Sequence, residues 1–147
     1  MKKIFFVALI IAVVVLVMEY RKRSTSSETV FMTIRDTKIS VEVARDVQKQ
    51  LVGLSGRDSM CDKCGMLFVF RVPTRRNFWM KDMKFPLDLI FIRDNQVVEI
   101  AEKVPIPGTD GRIPRVNSLE EADAVLEVNA GFVNHNSVRV ADPVRLD

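Results

Sequence analysis

The chain has 147 residues, 48% of them hydrophobic and 28% charged, which is enough for one domain with a real core and excludes an extensively disordered chain. The formal net charge is +3, but five of the bases flank a single apolar run near the N terminus. Without those five bases and Glu19, 17 of the 22 bases and 18 of the 19 acids remain. The rest of the chain therefore lacks the excess positive charge expected of a nucleic-acid-binding domain, and we expect no nucleic-acid partner.

The N-terminal apolar run covers residues 4–18 and contains no polar side chain. At about 1.5 Å per residue a helix of this length spans roughly 22 Å, somewhat less than the ~30 Å hydrocarbon core of a bilayer. Bulky residues follow the run where a cleavable signal peptide needs small ones. Residues 1–23 are therefore predicted to form an uncleaved transmembrane anchor, with secretion after signal cleavage as the alternative.

A linker at residues 24–29 and a single β-rich domain at residues 30–147 follow the anchor. Bases on the two sides of the apolar run nearly balance, so the positive-inside rule does not set the orientation. The very short leading tail and the close pair of cysteines favour a domain outside the cytoplasm. We expect a cell-membrane protein with an extracytoplasmic domain.

Short segments with strand character dominate the domain. Apolar and polar residues alternate over residues 38–43, while residues 65–70 and 87–92 are short apolar runs typical of buried strands. Asp94-Asn95 has the residue types of a tight hairpin turn. One short helix is predicted after a capping Asp46, with Gly53 or Gly56 at its end.

The second half of the domain begins with a predicted loop. Residues 104–118 contain three prolines and two glycines. A strand at 124–128, a helical turn at 130–136 and two closing strands at 138–140 and 144–146 follow. These elements indicate a mainly β, small α+β fold, in which a compact antiparallel β-barrel or jelly-roll-like domain carries one or two short helices.

Two acids interrupt the apolar strands. Asp88 shares a strand face with Ile90 and Ile92, and Glu127 shares one with Val125. An unpaired buried carboxylate costs several kcal/mol, so Asp88 is expected either to have a cationic or multi-donor partner or to lie where the strand face opens to solvent. Lys81 and Arg57 are the natural candidates for a partner.

Two cysteines form the motif Cys61-Asp-Lys-Cys64, for which a disulfide is the simplest interpretation. Zinc normally needs four ligands, and the single histidine, His135, lies far along the chain. A redox site needs the motif at a helix N terminus, whereas a strand follows here. Methionines near the central motifs are typical core fillers rather than copper ligands. We expect no metal and no cofactor.

Three arginines, Arg71, Arg75 and Arg76, surround Pro73. The simplest interpretation is a solvated loop. Because Trp79 follows closely, the same arginines could instead approach an anionic ligand.

Five short motifs resemble those of the bacterial and archaeal family named domain of unknown function 192. They are Gly53-Leu-Ser-Gly-Arg57, Gly65-Met-Leu-Phe68, Phe78-Trp-Met-Lys81, Pro86-Leu-Asp88, and Val125-Leu-Glu127 followed by Ala130-Gly131. The resemblance implies a compact, mostly antiparallel β-barrel, often behind a signal sequence, and no established activity. The chain departs from the family pattern at Ser55, at Asp82-Met83 and at Ala141, and Asp82 places an extra acid beside Lys81.

Three functional classes remain open. The preferred hypothesis is a membrane-tethered domain that binds a small polar or anionic ligand, such as a saccharide or peptide, through Arg57, Trp79, Lys81, Asp88 and Glu127. In the second, the same residues only stabilise a structural or partner-binding module of the cell envelope. In the third, Asp88 and Glu127 serve a hydrolase or lyase, which requires their environments to separate the two pKa values.

Overall fold

A computed structural model describes Ile11 and residues 28–147. Apart from Ile11, the predicted anchor at residues 1–23 lies outside the described residues, as does most of the linker. Among the described residues, no helix has both the length and the apolar character needed to cross a membrane.

Seven strands and two short helices make up the described domain, so a mainly β fold with short helices is confirmed. The strands are β1 (Glu28–Ile34), β2 (Thr37–Ala44), β3 (Cys64–Trp79), β4 (Leu87–Arg93), β5 (Gln96–Val104), β6 (Arg115–Asn129) and β7 (Val144–Leu146). The helices are α1 (Val47–Val52) and α2 (Phe132–His135).

One sheet contains all seven strands in the order β5-β4-β6-β3-β2-β1-β7. Every neighbouring pair is antiparallel except β2 and β3, which are parallel and joined through α1. The sheet is not closed, so the predicted barrel is wrong. Its edges meet only near the bridge between Gln96 and Pro143, because β7 has three residues and the segment before it forms turns instead of a strand.

The two faces of the sheet bury separate apolar clusters. The first cluster takes residues from all seven strands and from α2, which shows that the sheet curls around it. The second lies on the opposite face and includes Met66, Phe68, Leu89, Phe91 and Val125. Strict alternation along β4 and β6 sends neighbouring residues to opposite clusters, as the period of two predicts.

Several local predictions are confirmed. The Asp46 carboxylate accepts a hydrogen bond from the Lys49 N–H at 2.8 Å and begins α1, and Gly53 ends this helix with a φ of 52°. Asp94 and Asn95 both have positive φ, which places the hairpin turn between β4 and β5 as expected.

Two other local predictions are wrong. The segment 104–118 does not remain a loop to its end, because β6 begins at Arg115 and pairs with the end of β3. Residues 138–140 form turns and coil instead of a strand. In both places the pairing partner, and not the local sequence, decides whether a strand forms.

Strand β3 is a single element of sixteen residues, although the sequence suggests two strands separated by a loop. Its register with β6 shifts between Val69 and Thr74 and again between Arg75 and Asn77. Pro73 lacks the N–H that a regular ladder requires and lies inside the first irregularity. The bulged strand carries Phe70, Arg75 and Arg76 toward the same end of the domain as Trp79.

Asp88 is fully buried and is held by backbone groups. One carboxylate oxygen accepts from the Lys103 N–H at 2.7 Å, and the other accepts from the Gly131 and Val133 N–H groups at 2.9 and 3.0 Å. The first bond gives a partner to a backbone N–H in the irregular part of β5, and the other two hold the start of α2. The expected ion pair with Lys81 or Arg57 is therefore wrong, because three N–H donors satisfy this carboxylate.

We expect Asp88→Asn to lower the free energy of unfolding by about 2–4 kcal/mol, because the new amide nitrogen cannot accept the one or two bonds made to the oxygen that it replaces. Chemical denaturation followed by circular dichroism measures this effect. Asp62→Asn is the matched control, since Asp62 is exposed and makes no hydrogen bond or ion pair within the described residues. Equal stability of the two variants would contradict a structural role for Asp88.

Candidate functional site

A groove beside Trp79 is the main candidate site. It has a volume of about 420 Å³ and opens between α1, the bulged half of β3 and the start of β6. Its lining residues are Val47, Gln50, Leu51, Phe68, Phe70, Arg75, Arg76, Asn77, Phe78, Trp79 and Arg115. We call this space the Trp79 groove. Three guanidinium groups and four aromatic rings line it, and no acid does.

The pairing of β3 with β6 builds one end of the groove. Trp79 lies directly opposite Arg115, whose guanidinium carbon is 5.5 Å from the centroid of the Trp79 ring. The Trp79 side chain is partly exposed, with 43% of its surface accessible. A planar cation on an accessible indole makes a surface suited to an anionic group attached to a flat apolar body.

The other two arginines differ in how firmly they are held. Arg76 packs 3.7 Å from the centroid of the Phe70 ring, and its guanidinium donates to the Ala122 and Val72 carbonyl oxygens. Its partial burial lowers the pKa of this guanidinium from its usual value. Arg75 is exposed and makes no hydrogen bond or ion pair within the described residues. Arg75 and Arg115 are thus the cations that remain available to a ligand.

Helix α1 supplies the apolar rim of the groove. Gln50 fixes the helix to the sheet by donating to the carbonyl oxygens of Ala44 and Val69. Val47 and Leu51 remain largely exposed and border the groove.

A second, much smaller cavity of about 30 Å³ adjoins the groove. Gln50, Leu51, Phe68, Phe78 and Trp79 line both spaces. Glu127 lines only the cavity, and every other residue there is uncharged. The cavity has room for one water-sized group.

Glu127 is buried in the middle of the sheet, opposite Met66 of β3 and Leu89 of β4. Its carboxyl group makes no hydrogen bond or ion pair within the described residues. Burial in these apolar surroundings raises the pKa of Glu127 to about 8. At neutral pH this carboxyl is therefore mostly protonated and can donate a hydrogen bond.

Of the five predicted site residues, Trp79 and Glu127 are the two that line a common cavity among the described residues. Arg57 instead forms a two-pronged ion pair with Glu42, with Nη2 2.8 Å from Oε2, and this bond raises the pKa of Arg57. The Lys81 ammonium lies 5.7 Å from the Trp79 centroid but lines a different surface depression. Asp88 lies within the closed core.

The extra acid at position 82 does not neutralise Lys81 directly. Asp82 has a φ of 55° and lies in a turn. Its backbone carbonyl oxygen accepts a hydrogen bond from the Gly56 N–H. The Lys81 and Asp82 side chains form no ion pair within the described part of the chain. Cys61 and Cys64 are joined by a disulfide at the start of β3, and no cluster of acidic, histidine or cysteine side chains suited to a metal occurs among the described residues.

Sequence reasoning missed Arg115 and the aromatic wall formed by Phe68 and Phe70. No local motif marks Arg115, which becomes a site residue only because β6 pairs with β3. For Arg75 and Arg76, the sequence did give an indication, because both lie only a few positions before Trp79.

These features define a class of protein: a β-rich domain with one cationic, aromatic groove on a curled seven-stranded sheet. The family DUF192, described as "Uncharacterized ACR, COG1430", matches residues 30–146, and the chain belongs to this family. The resemblance seen in the sequence motifs is thereby confirmed. No curated protein matches the chain.

Two solved structures are similar to this one. A "putative transcription regulator" from Sinorhizobium meliloti 1021 has 29% identity and a TM-score of 0.77, with 83% of this chain and 96% of that chain covered. A protein of unknown function from Novosphingobium aromaticivorans DSM 12444 has 28% identity and a TM-score of 0.74, with 82% and 87% covered.

Ionisation of Glu127 makes stability depend on pH. Its folded pKa of about 8 lies above its ordinary value of 4.5, so its stabilising effect is complete below about pH 4.5 and is lost as the pH rises to about 8. The maximum loss is about 5 kcal/mol. Glu127→Gln removes this dependence because glutamine does not titrate.

We therefore expect the stability of the wild type relative to Glu127→Gln to fall by several kcal/mol between pH 5 and pH 8. Urea denaturation of both proteins at several pH values measures the difference, and other titrating groups cancel between them. A difference that stays constant with pH would show that Glu127 ionises normally.

Proposed function

We propose that the domain binds a small anionic ligand with a flat apolar body in the Trp79 groove, on the outer side of the membrane to which the N-terminal segment tethers it. The observation that carries this proposal is the lining of the groove, in which Arg75, Arg76 and Arg115 meet aromatic rings and no carboxylate is present. Cations around one concave surface favour anions, and two of these three, Arg75 and Arg115, form no ion pair within the described residues.

The size and composition of the groove also suit a small molecule. Its volume of about 420 Å³ lies within the range of roughly 300–1,000 Å³ common for such sites. Phe70, Phe78 and Trp79 supply apolar walls, while the Arg115 guanidinium can give an anion two parallel hydrogen bonds. Of the saccharides and peptides that the sequence suggests as ligands, this lining favours acidic ones over neutral ones.

Other functional classes receive less support from the geometry. Asp88 has no route to a substrate and cannot serve a paired-acid hydrolase with Glu127. Arg57 and Asp88 do stabilise the fold, but the Arg75 side chain forms no hydrogen bond or ion pair with the described residues that would explain its place in the groove. The name of the Sinorhizobium structure is not extended to this chain, since residues outside the N-terminal segment carry no excess of bases.

The proposal of a membrane tether is based on residues 4–18, which form an unbroken apolar run. Such a run can insert into a bilayer while its flanking bases reach the surface. We expect added protease to digest the domain in intact spheroplasts. A cytoplasmic protein serves as the control for spheroplast integrity. Full protection of the domain would place it inside the cell.

Binding is tested with two probes that share one apolar body, naphthalene-2-sulfonate and the cationic 2-naphthylmethylammonium. Because Trp79 is the only tryptophan, its indole N–H gives one NMR signal that reports directly on the groove. We expect the full chain in detergent to bind the sulfonate and not the ammonium. Equal shifts with both probes would contradict an anion site.

Arg75→Gln and Arg115→Gln should each weaken sulfonate binding roughly tenfold, since a hydrogen bond to a charged group contributes about 1.5 kcal/mol or more. Arg139→Gln is the matched control, because Arg139 is exposed and lies outside the groove. If it weakens binding as much as the groove variants do, the effect comes from net charge and the proposed site is wrong.

A further inference from the structure

The small cavity at the inner end of the Trp79 groove contains a polar group without a protein partner. Glu127 is 6% exposed, and its carboxyl forms no hydrogen bond within the described residues. In this same part of the chain, every fully enclosed side-chain nitrogen or oxygen has a partner. The Glu127 carboxyl therefore borders open space, and the cavity is that space.

Structures rarely leave a buried polar group unpaired, because the loss of its hydrogen bonds to water is not compensated. Its neighbours in the sheet, Met66 and Leu89, carry no side-chain donor. Two polar side chains of the cavity donate elsewhere: Gln50 to the Ala44 and Val69 carbonyl oxygens, and Ser55 to that of Lys81. This carboxyl therefore has bonding capacity that the described residues do not use and that a group from outside the chain can take.

The cavity that Glu127 lines shares walls with the groove. Phe78 and Trp79 line both spaces, and the Trp79 side chain is partly exposed. A ligand lying on Trp79 is thus next to the cavity. At about 30 Å³ the cavity holds one small group but not a ring.

We infer that Glu127 is a ligand-binding residue at the inner end of the Trp79 groove, where its carboxyl hydrogen-bonds one uncharged oxygen, a hydroxyl or carbonyl, of the bound molecule. This inference rests on the proposed function and narrows it. The ligand class becomes an anion whose flat apolar body carries such an oxygen on the side away from the acidic group. The arginines select the charge, and Glu127 selects the polar substituent.

Charge explains why the arginines bind the acidic group of the ligand while Glu127 binds an uncharged oxygen. A second anionic group could not enter the cavity, because no cation lines it. A neutral oxygen avoids this desolvation cost and gives the carboxyl the partner that it lacks. A protonated carboxyl donates to either a carbonyl or a hydroxyl oxygen.

The test compares naphthalene-2-sulfonate with 6-hydroxynaphthalene-2-sulfonate at pH 6.5, using the full chain in detergent and the indole N–H signal of Trp79. We expect the hydroxylated probe to bind the wild type roughly three- to tenfold more tightly, the contribution of one net hydrogen bond. Glu127→Leu should abolish this preference, whereas Glu127→Gln should retain it, because glutamine still hydrogen-bonds.

Each outcome decides the inference. Equal affinities of the two probes for the wild type would overturn the role of Glu127 and leave the anion groove standing. Failure of both probes to bind would overturn the proposed function together with this inference. Loss of the preference in Glu127→Gln as well as in Glu127→Leu would overturn hydrogen bonding as its cause. Circular dichroism establishes that each variant is folded.

Discussion

The antiparallel pairing of β3 with β6 is the constraint on which the rest of the domain depends. These two strands lie at the centre of the sheet, and their ladder places Arg115 opposite Trp79 at one end and Glu127 opposite Met66 toward the other. The register shifts around Pro73 bend β3 without ending it, so that Phe70, Arg75 and Arg76 reach the same surface as Trp79. One strand pair thus produces both the core of the fold and the walls of its groove.

Two buried acids on adjacent strands avoid the cost of an unpaired buried charge in different ways. Asp88 keeps its place through three backbone N–H groups and thereby fixes β5 and α2. Glu127 has no such donors, and burial instead raises its pKa to about 8, so that it stays mostly neutral. The first acid is fully used by the fold, while the second retains bonding capacity beside a cavity that adjoins the groove.

The arginines of this domain likewise include some that the fold engages and some that remain available to a ligand. Arg57 is engaged by Glu42, and Arg76 is held by carbonyl oxygens and the Phe70 ring. Arg75 makes no such contact within the described residues, and Arg115 contacts only the neutral Trp79 and Asn77 side chains. Because these two guanidinium groups can form charge-assisted hydrogen bonds to an anion without first breaking an ion pair, they are the ones best placed to bind a ligand anion.

The sequence by itself determined the family, through the resemblance of five motifs. It also determined the mainly β class, the α1 caps and the Asp94-Asn95 turn, since these depend on local periodicity or on the conformational preferences of single residues. It also marked Asp88, Trp79 and Glu127 as charged or aromatic groups out of place. Only the tertiary structure decided the partners of these residues, the start of β6 at Arg115, and the open edges of the sheet. Strand pairing joins residues about 36 positions apart, as in Trp79 and Arg115, and no local pattern encodes such a contact.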